Sequence, residues 1–359
     1  MTPCLFASIM RRVGIVGDGL TGLVASLAAT SNGAEVALFG KSEPLGGLAS
    51  PIHPEAEWLF DKAPICWRKK GHLDQLLRRM KVPIPQRRMH LHRMATIRDK
   101  KRYTLPEFKG VLRRPTGYFA SDWLSMVQSA KTGDLDELDG PIRDAATLLS
   151  LLWDLNPKPN PEAVANLAWK GHGIVTVDGW IGVSGRLITA CYQSDVTYHL
   201  DGPVTGFRRN QTGQIDGIKR KGRILPVDVV IRASSRKKEK FVGRYLGLSG
   251  KYLRPHMVLW DADNSVLLVD LGTITPERIP EEFRGKATLL HCIAFGDSNS
   301  AAKRIEDVLD TQCSGWRGSI EEDFTLENLR LPKAPQKDFD DDMFHAHLDN
   351  AFSLSLIHI

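Results

Sequence analysis

The sequence predicts an α/β fold: a Rossmann-like dinucleotide-binding domain interrupted by an α+β substrate domain. Three observations carry this expectation. A short apolar run, Val13-Gly14-Ile15-Val16, leads directly into Gly17-Asp18-Gly19-Leu20-Thr21-Gly22. A helical pattern and a second apolar run, Glu35-Val36-Ala37-Leu38-Phe39, follow it. Much further along, residues 227–231 read as another buried strand, so one nucleotide domain is assembled from two separated segments.

Residues 13–16 read as a parallel strand because they are apolar without alternation, as a strand covered on both faces is. Gly17 permits the tight turn, Gly19 lets the backbone approach a pyrophosphate, and Gly22 lets the helix pack closely on the strand. Leu20, Leu23, Val24 and Leu27 recur at helical spacing, with small Ala25, Ala28 and Ala29 among them. Asn32-Gly33 ends that helix, where a residue tolerant of positive φ is needed. Leu20 and Thr21 open the helix, whose free N–H groups and positive dipole end face the phosphates. The glycine pattern alone is weak, and a tight βαβ turn would need the same residues. Strand before and helix after turn it into a prediction of dinucleotide binding.

In the insertion, a helix carries Ala120, Trp123, Leu124 and Val127 on one face, a second helix covers 144–154, and 157–161 is a turn. Val204, Phe207, Ile215, Ile218 and Ile224, broken by Asn210-Gln211-Thr212-Gly213 and Lys221-Gly222, read as strands separated by turns. A later excursion alternates strands at 258–260, 266–271 and 288–294 with a helix at 301–309, and Asp297 marks a turn before that helix. Residues 10–78 and 195–245 are thus expected to form the dinucleotide-binding domain, and 79–194 and 246–330 the substrate domain. Residues 331–353 read as the start of an incomplete return to the first domain. Residues 354–359, LSLIHI, resemble a translated sequencing adaptor and are set aside as a scar.

At 359 residues the chain has room for about two domains. No apolar run is long enough to span a membrane as a helix. Five scattered cysteines without a C-x-x-C pair argue against a disulfide scaffold or zinc site and for a reducing, cytoplasmic compartment. Residues 1–9 read as a lead-in ahead of Met10. Net charge is +6, but 68–102 holds thirteen Lys or Arg against Asp74 and Asp99. Such a stretch can steer an anionic small-molecule substrate or touch an acidic membrane surface peripherally. A solvated face is the favoured reading, and no nucleic-acid motif accompanies the charge. Asp338, Asp340, Asp341, Asp342, His345 and His347 fit no metal-ligand spacing and read as an acidic tail. No nucleophile elbow is present.

Glu43-Pro44-Leu45-Gly46-Gly47-Leu48-Ala49-Ser50 follows the second strand. Here the sequence resembles the FAD-dependent amine oxidase, phytoene desaturase and protoporphyrinogen oxidase superfamily. In that superfamily a G-G-(R/L)-A loop runs beside the flavin pyrophosphate and ring. Gly46, Gly47, Leu48 and Ala49 match it. Asp61 matches an F-D-x-G-x-H segment, from which Ala63 and Ile65 depart. Residues 99–106 resemble an R-x-x-Y-P-L segment, and 178–190 the glycine-rich start of the helix before the flavin domain resumes. Val204 matches a valine whose backbone holds the adenine, and Asp228 to Ile231 with Ala233 match the closing strand A-D-x-V-I-x-A.

The resemblance implies a glutathione-reductase-type FAD-binding domain, FAD as cofactor, and hydride transfer from a C–H bond of an organic substrate to flavin N5. It names no catalytic residue, since flavin chemistry needs no protein nucleophile. A redox-neutral mutase-like enzyme, an NADP-binding protein and a non-catalytic dinucleotide binder on a degenerate flavin fold are the alternatives. Trp67, Trp169 and Trp180 read as core residues before cleft-lining ones.

Two departures stand out. The family places Glu at the end of the second strand to accept the adenosine-ribose hydroxyls, and here that position is Gly40. Glu43 is one substitute; Lys41 and Ser42 would instead suit the 2′-phosphate of NADP. Glutamate at position 40 is therefore expected to tighten FAD and to weaken NADP. The second departure is at the far end, where the sequence offers no evident return strand and no Gly-Asp motif after it. Weak retention of FAD is the expectation there.

Overall fold

In a computed structural model of the chain, the described residues are 11–41, 45–50, 52, 57–62, 66–68, 72–106, 118, 120–155, 157–169, 173–233, 238–332 and 351–353. The first layer is a five-stranded parallel sheet of β1 (Arg12–Val16), β2 (Glu35–Phe39), β8 (Thr197–His199), β12 (Val229–Arg232) and β18 (Ala351–Ser353). Its order is β18-β12-β1-β2-β8. The crossover from β1 to β2 is helix α1 (Leu20–Ser31). Ile15, Leu38 and Val230 are fully buried, as continuous apolar runs in a covered parallel sheet must be. The sequence offered no return strand. The structure corrects this, because Ala351–Ser353 pairs in parallel with Val230–Arg232. Three residues of strand carry too short a pattern to stand out from a tail. Residues 333–350 and 354–359, with the acidic cluster and the adaptor-like end, lie outside the described residues.

Two helices from the sequence between β2 and β8 join this layer. Trp180, Val183, Leu187 and Cys191 of α6 (Gly179–Gln193) share one core with Leu23, Val24 and Leu27 of α1. Leu77 of α2 (His72–Arg79) lies in the same core. A small antiparallel sheet of β9 (Gly206–Arg209), β10 (Ile215–Arg220) and β11 (Arg223–Pro226) covers the parallel sheet through Ile218 and Val227, which pack with Phe39 and Val230. Gly14 permits this approach, because a Cβ there would lie 2.4 Å from Ile218 Cδ1. Ile224, grouped with these apolar positions in the sequence, is instead 44% exposed. The hairpin has only one covered face.

The second layer is a seven-stranded sheet of β5 (Met94–Arg98), β6 (Lys101–Thr104), β13 (Lys238–Leu248), β14 (Val258–Asp261), β15 (Val266–Asp270), β16 (Thr288–Ala294) and β17 (Ile320–Pro332). Its order is β17-β13-β16-β15-β14-β5-β6, antiparallel except for β14 beside β5. Alternate residues of β16 serve two cores. Leu290 and Cys292 pack with Ile305, Val308 and Leu309 of α8 (Ala301–Gln312). Leu289 and Ile293 share the other core with α3 (Ala120–Thr132), α4 (Gly140–Asp154), α5 (Pro161–Val164) and α7 (Leu271–Ile274). A three-stranded sheet, β3 (Trp67–Arg68), β7 (Gly173–Thr176) and β4 (Gln86–Arg88) in the order β3-β7-β4, completes the strands.

Two local expectations change. α3 buries Trp123, Met126, Val127 and Ala130, and Leu124 points away at 49% exposure. The 3.6-residue repeat places 123, 126/127 and 130 on one face. α4 starts at Gly140, four residues before the expected 144, with proline in its first turn where the missing N–H costs nothing. No helix among the described residues is long and apolar enough to cross a membrane.

Candidate dinucleotide site

The three glycines of the first turn serve three different needs. Gly17 has φ +132°, donates its N–H to Phe39 O at 2.9 Å, and would place a Cβ 2.8 Å from Ala233 O on the closing segment. A Cβ at Gly22 would lie 1.7 Å from Gly17 O, so only glycine lets α1 sit on the turn. Gly19 is different: its φ of −79° suits any residue, and the nearest atom to a Cβ there is Gly46 O at 3.9 Å. Among the described residues, nothing fills the space above Gly19. As N-cap of α1, Gly19 has no side chain to satisfy the first-turn N–H groups of Leu20, Thr21 and Gly22. Thr21 Oγ1 is buried without a partner among the described residues. Unpaired donors gathered at a helix N-terminus suit an anionic diphosphate.

The second glycine pair docks on the first motif. Gly46 N–H donates to Asp18 O at 2.8 Å, Gly19 and Gly46 form a parallel bridge, and a Cβ at Gly47 would lie 3.2 Å from Gly19 Cα. Gly46 and Gly47 hold φ of +106° and +59°, which glycine adopts without strain. The short 3-10 turn Gly47–Ala49 includes Leu48, and Ala49 is buried, its carbonyl accepting from Ser184 Oγ of α6 at 3.2 Å. Two motifs separated in sequence thus form one backbone-lined seam.

Sequence reasoning missed Lys62 beside this seam. Its Nζ donates to Ser50 Oγ at 2.6 Å and Gly47 O at 3.4 Å, and it meets no carboxylate among the described residues. Burial lowers its pKa from the ordinary lysine value. The only signal was its place next to the family-matching Asp61. The Lys62 carbonyl accepts from Tyr245 Oη at 2.7 Å, tying the seam to β13 of the large sheet. Tyr245 and Phe60 face the ring of His291 at centroid distances of 5.1 and 5.9 Å. His291 is fully buried, and neither ring nitrogen has a partner among the described residues.

At the end of β2, Gly40 donates its N–H to His199 O at 3.0 Å. A Cβ at Gly40 would lie 2.7 Å from both Cβ and Oδ2 of Asp18, and 2.8 Å from Leu200 Cδ2. Asp18 Oδ2 accepts from Lys41 N–H at 3.0 Å. The Asp18 carboxylate therefore stands against the space that a side chain at position 40 would take. This overturns the expectation that glutamate at 40 would tighten FAD: its Cβ would collide, and its charge would lie beside another carboxylate. Ser42 and Glu43 lie outside the described residues. Val204, between β8 and β9, is half-buried against the cluster of Phe39 and Ile218.

Other candidates resolve into structure. Trp180 is core, and the side chains of Trp67 and Trp169 lie outside the described residues. Asp61 clamps the start of α6 and Arg278. Burial pushes the thiols of Cys66, Cys191 and Cys313 up to about 12, which leaves none of them poised as a thiolate. In the basic stretch, Arg78 pairs with Asp74, Arg87 with Glu277 and Arg98 with Asp144. Two of those acids come from outside the stretch, so its excess positive charge is smaller than the residue count suggests. No metal-ligand cluster occurs among the described residues.

A sequence profile of the NAD(P)-binding Rossmann-like domain matches residues 15–80. No curated protein sequence matches the chain. Among solved structures, a protein assigned as a protoporphyrinogen oxidase, from Exiguobacterium sp. 255-15, is similar with a TM-score of 0.68 at 13% identity, over 97% of this chain and 94% of its own. Cyclohexylamine oxidase from Brevibacterium oxydans IH-35A gives 0.62 at 13% identity, over 88% and 84%. A Rab GDI from Plasmodium falciparum gives 0.62 at 16%, over 96% and 93%. The chain shares the fold of these structures: a Rossmann-like layer interrupted by an α+β layer.

Proposed function

We propose that this protein is an FAD-dependent oxidoreductase acting on a small organic substrate. The observation that carries the reading is the seam itself: the turn Gly17 to Gly22 docked on Gly46 to Ala49, with open space above Gly19 and unpaired donors at the start of α1. Those residues fit a dinucleotide diphosphate, with the first-turn N–H groups offsetting its charge. The Gly46–Gly47 backbone flanks the path, and Lys62 adds a cation beside it. FAD suits the site better than NADP, because the carboxylate of Asp18 in the glycine turn stands beside the end of β2, where a negative charge disfavours a 2′-phosphate. When bound, FAD supplies a hydride acceptor at N5, so the protein has only to position the substrate and exclude water. Tyr245 and His291 of the large sheet pack with Phe60, and the Tyr245 hydroxyl ties that sheet to the seam through the Lys62 carbonyl.

The names of two similar structures, a protoporphyrinogen oxidase and a cyclohexylamine oxidase, support oxidation; a Rab GDI shares the fold, so the activity is argued from the site. The test is titration of the purified chain with FAD, followed by anaerobic addition of primary and secondary amines and of tetrapyrrole precursors. Stoichiometric binding with loss of the oxidised-flavin band at about 450 nm on substrate addition is the expected result. Binding without bleaching by any donor would leave a dinucleotide-binding protein, and absence of binding would refute the proposal.

A further inference from the structure

We infer that Asp18 is the acceptor for the adenosine-ribose hydroxyls of the bound dinucleotide and the residue that bars a 2′-phosphate. The inference rests on the proposed dinucleotide site and goes beyond it by assigning the sugar contact to a residue of the glycine turn. In a Rossmann-like domain the carboxylate that binds ribose ordinarily sits at the end of the second strand. Here that position is Gly40, and the space next to it is taken by Asp18, whose Cβ and Oδ2 would both lie 2.7 Å from a Cβ at 40. The carboxylate is held in place, since Lys41 N–H donates to Oδ2 at 3.0 Å. Oδ1 has no protein partner among the described residues, which leaves an acceptor for the sugar. Asp18 also carries the carbonyl that receives Gly46 N–H at 2.8 Å, so its backbone is fixed by the seam. Glycine at 40 and aspartate at 18 are therefore two halves of one exchange: the acid has moved from the strand end to the turn, and a side chain at 40 would push it out.

The geometry makes the ligand chemistry specific. An adenine nucleotide with free ribose hydroxyls donates to the carboxylate. One with a 2′-phosphate sets two anions against each other in a partly buried site. Lys41 donates to Asp18 through its backbone N–H, and its side chain is exposed, where solvent and salt screen its charge.

Equilibrium binding of FAD, ADP, 2′-deoxy-ADP and adenosine 2′,5′-bisphosphate to the full chain tests the inference without any turnover. Wild type is expected to bind ADP about 10- to 100-fold more tightly than 2′-deoxy-ADP, the range for a charge-assisted hydrogen bond. Asp18→Ala should lower affinity for ADP and FAD by a similar factor, leave 2′-deoxy-ADP unchanged, and improve the 2′,5′-bisphosphate. Asp18→Asn keeps the Lys41 contact and serves if the alanine variant does not fold; it should show the same pattern more weakly. Gly40→Glu alone should weaken ADP, while Asp18→Gly combined with Gly40→Glu should restore it by moving the acid back to the strand end. FAD binding that ignores Asp18 and the 2′-hydroxyl would overturn this inference and leave the proposed function standing. Failure of wild type to bind either FAD or ADP would overturn both.

Discussion

Asp61 and Arg278 form a buried ion pair: Arg278 Nη1 donates to Asp61 Oδ2 at 2.6 Å, with side chains 3% and 1% exposed. The pair joins the segment after the Gly46–Gly47 turn to the loop that follows α7. Each carboxylate oxygen and each guanidinium nitrogen has a partner. Asp61 Oδ1 accepts from Trp180 N–H at the start of α6 at 2.7 Å, and Arg278 donates to the carbonyls of Thr176 and Val177. These additional hydrogen bonds are what make two desolvated charges tolerable.

Breaking one side alone should therefore be costly. Arg278→Met leaves Asp61 charged and unpaired, and a loss of about 3–5 kcal/mol in urea unfolding is expected. Asp61→Asn combined with Arg278→Met should recover part of that loss, since no buried charge remains. A single variant within 1 kcal/mol of wild type would show that water already reaches the pair.

The glycines of the turn separate fold from ligand. Gly22→Ala forces a Cβ to 1.7 Å from Gly17 O and should cost at least about 3 kcal/mol or prevent folding. Gly19→Ala meets nothing nearer than 3.9 Å at an ordinary φ, so stability should stay within about 0.5 kcal/mol of wild type. The loss should appear in FAD affinity instead, with Gly19→Val losing more. Measuring melting temperature and FAD titration on the same variants checks both halves. Equal destabilisation by Gly19→Ala and Gly22→Ala would count against a ligand path above Gly19.

This contrast also shows what the sequence could reveal. The strand, glycine turn, helix and second strand were legible because hydrophobic period and turn chemistry are local and agree with one another. The seam was half legible: the Gly46–Gly47 pair was found, but its contact with Gly19 is made across the fold. The role of Asp18 was hidden because a variable position in a motif carries no signal of where its side chain goes. Lys62 and the Asp61–Arg278 pair were hidden for the same reason, since 217 positions separate Asp61 from Arg278. Leu124 and Ile224 misled because apolar type was read as burial, which it does not guarantee.

Two buried groups should give opposing pH dependences. Burial raises the Asp270 carboxyl from 3.8 to about 6, against the hydrogen bonds it receives from Thr273. Its folded-state pKa lies above the unfolded value, so its favourable contribution is complete below pH 3.8 and is lost as pH rises to 6. The loss is at most about 3 kcal/mol. His256 runs the other way: burial, then Arg102, lowers it from 6.5 to about 4, so stability it supports above pH 6.5 is lost as pH falls towards 4. Asp270→Asn should make urea stability rise more steeply between pH 4 and 6.5, and His256→Gln should make it fall. Unchanged slopes in both variants would exclude these residues as the titrating groups.

Among the described residues of the large sheet, His291 has the most buried polar atoms without a partner. It lies on β16 with zero exposure, between Tyr245 and Phe60, and both ring nitrogens are without partners among the described residues. Burial, with Arg278 adding to it, pushes its pKa well below the ordinary value, so the ring is neutral. A neutral imidazole in such a place still forfeits the hydrogen bonds it made with water, at about 1–3 kcal/mol for each unsatisfied group. His291→Leu removes both groups at similar volume and should raise stability by about 1–3 kcal/mol in urea unfolding. His291→Gln keeps polar atoms in the same surroundings and should not exceed wild type. If leucine destabilises while glutamine does not, the ring nitrogens are hydrogen-bonded in solution and the site is wetter than its burial implies.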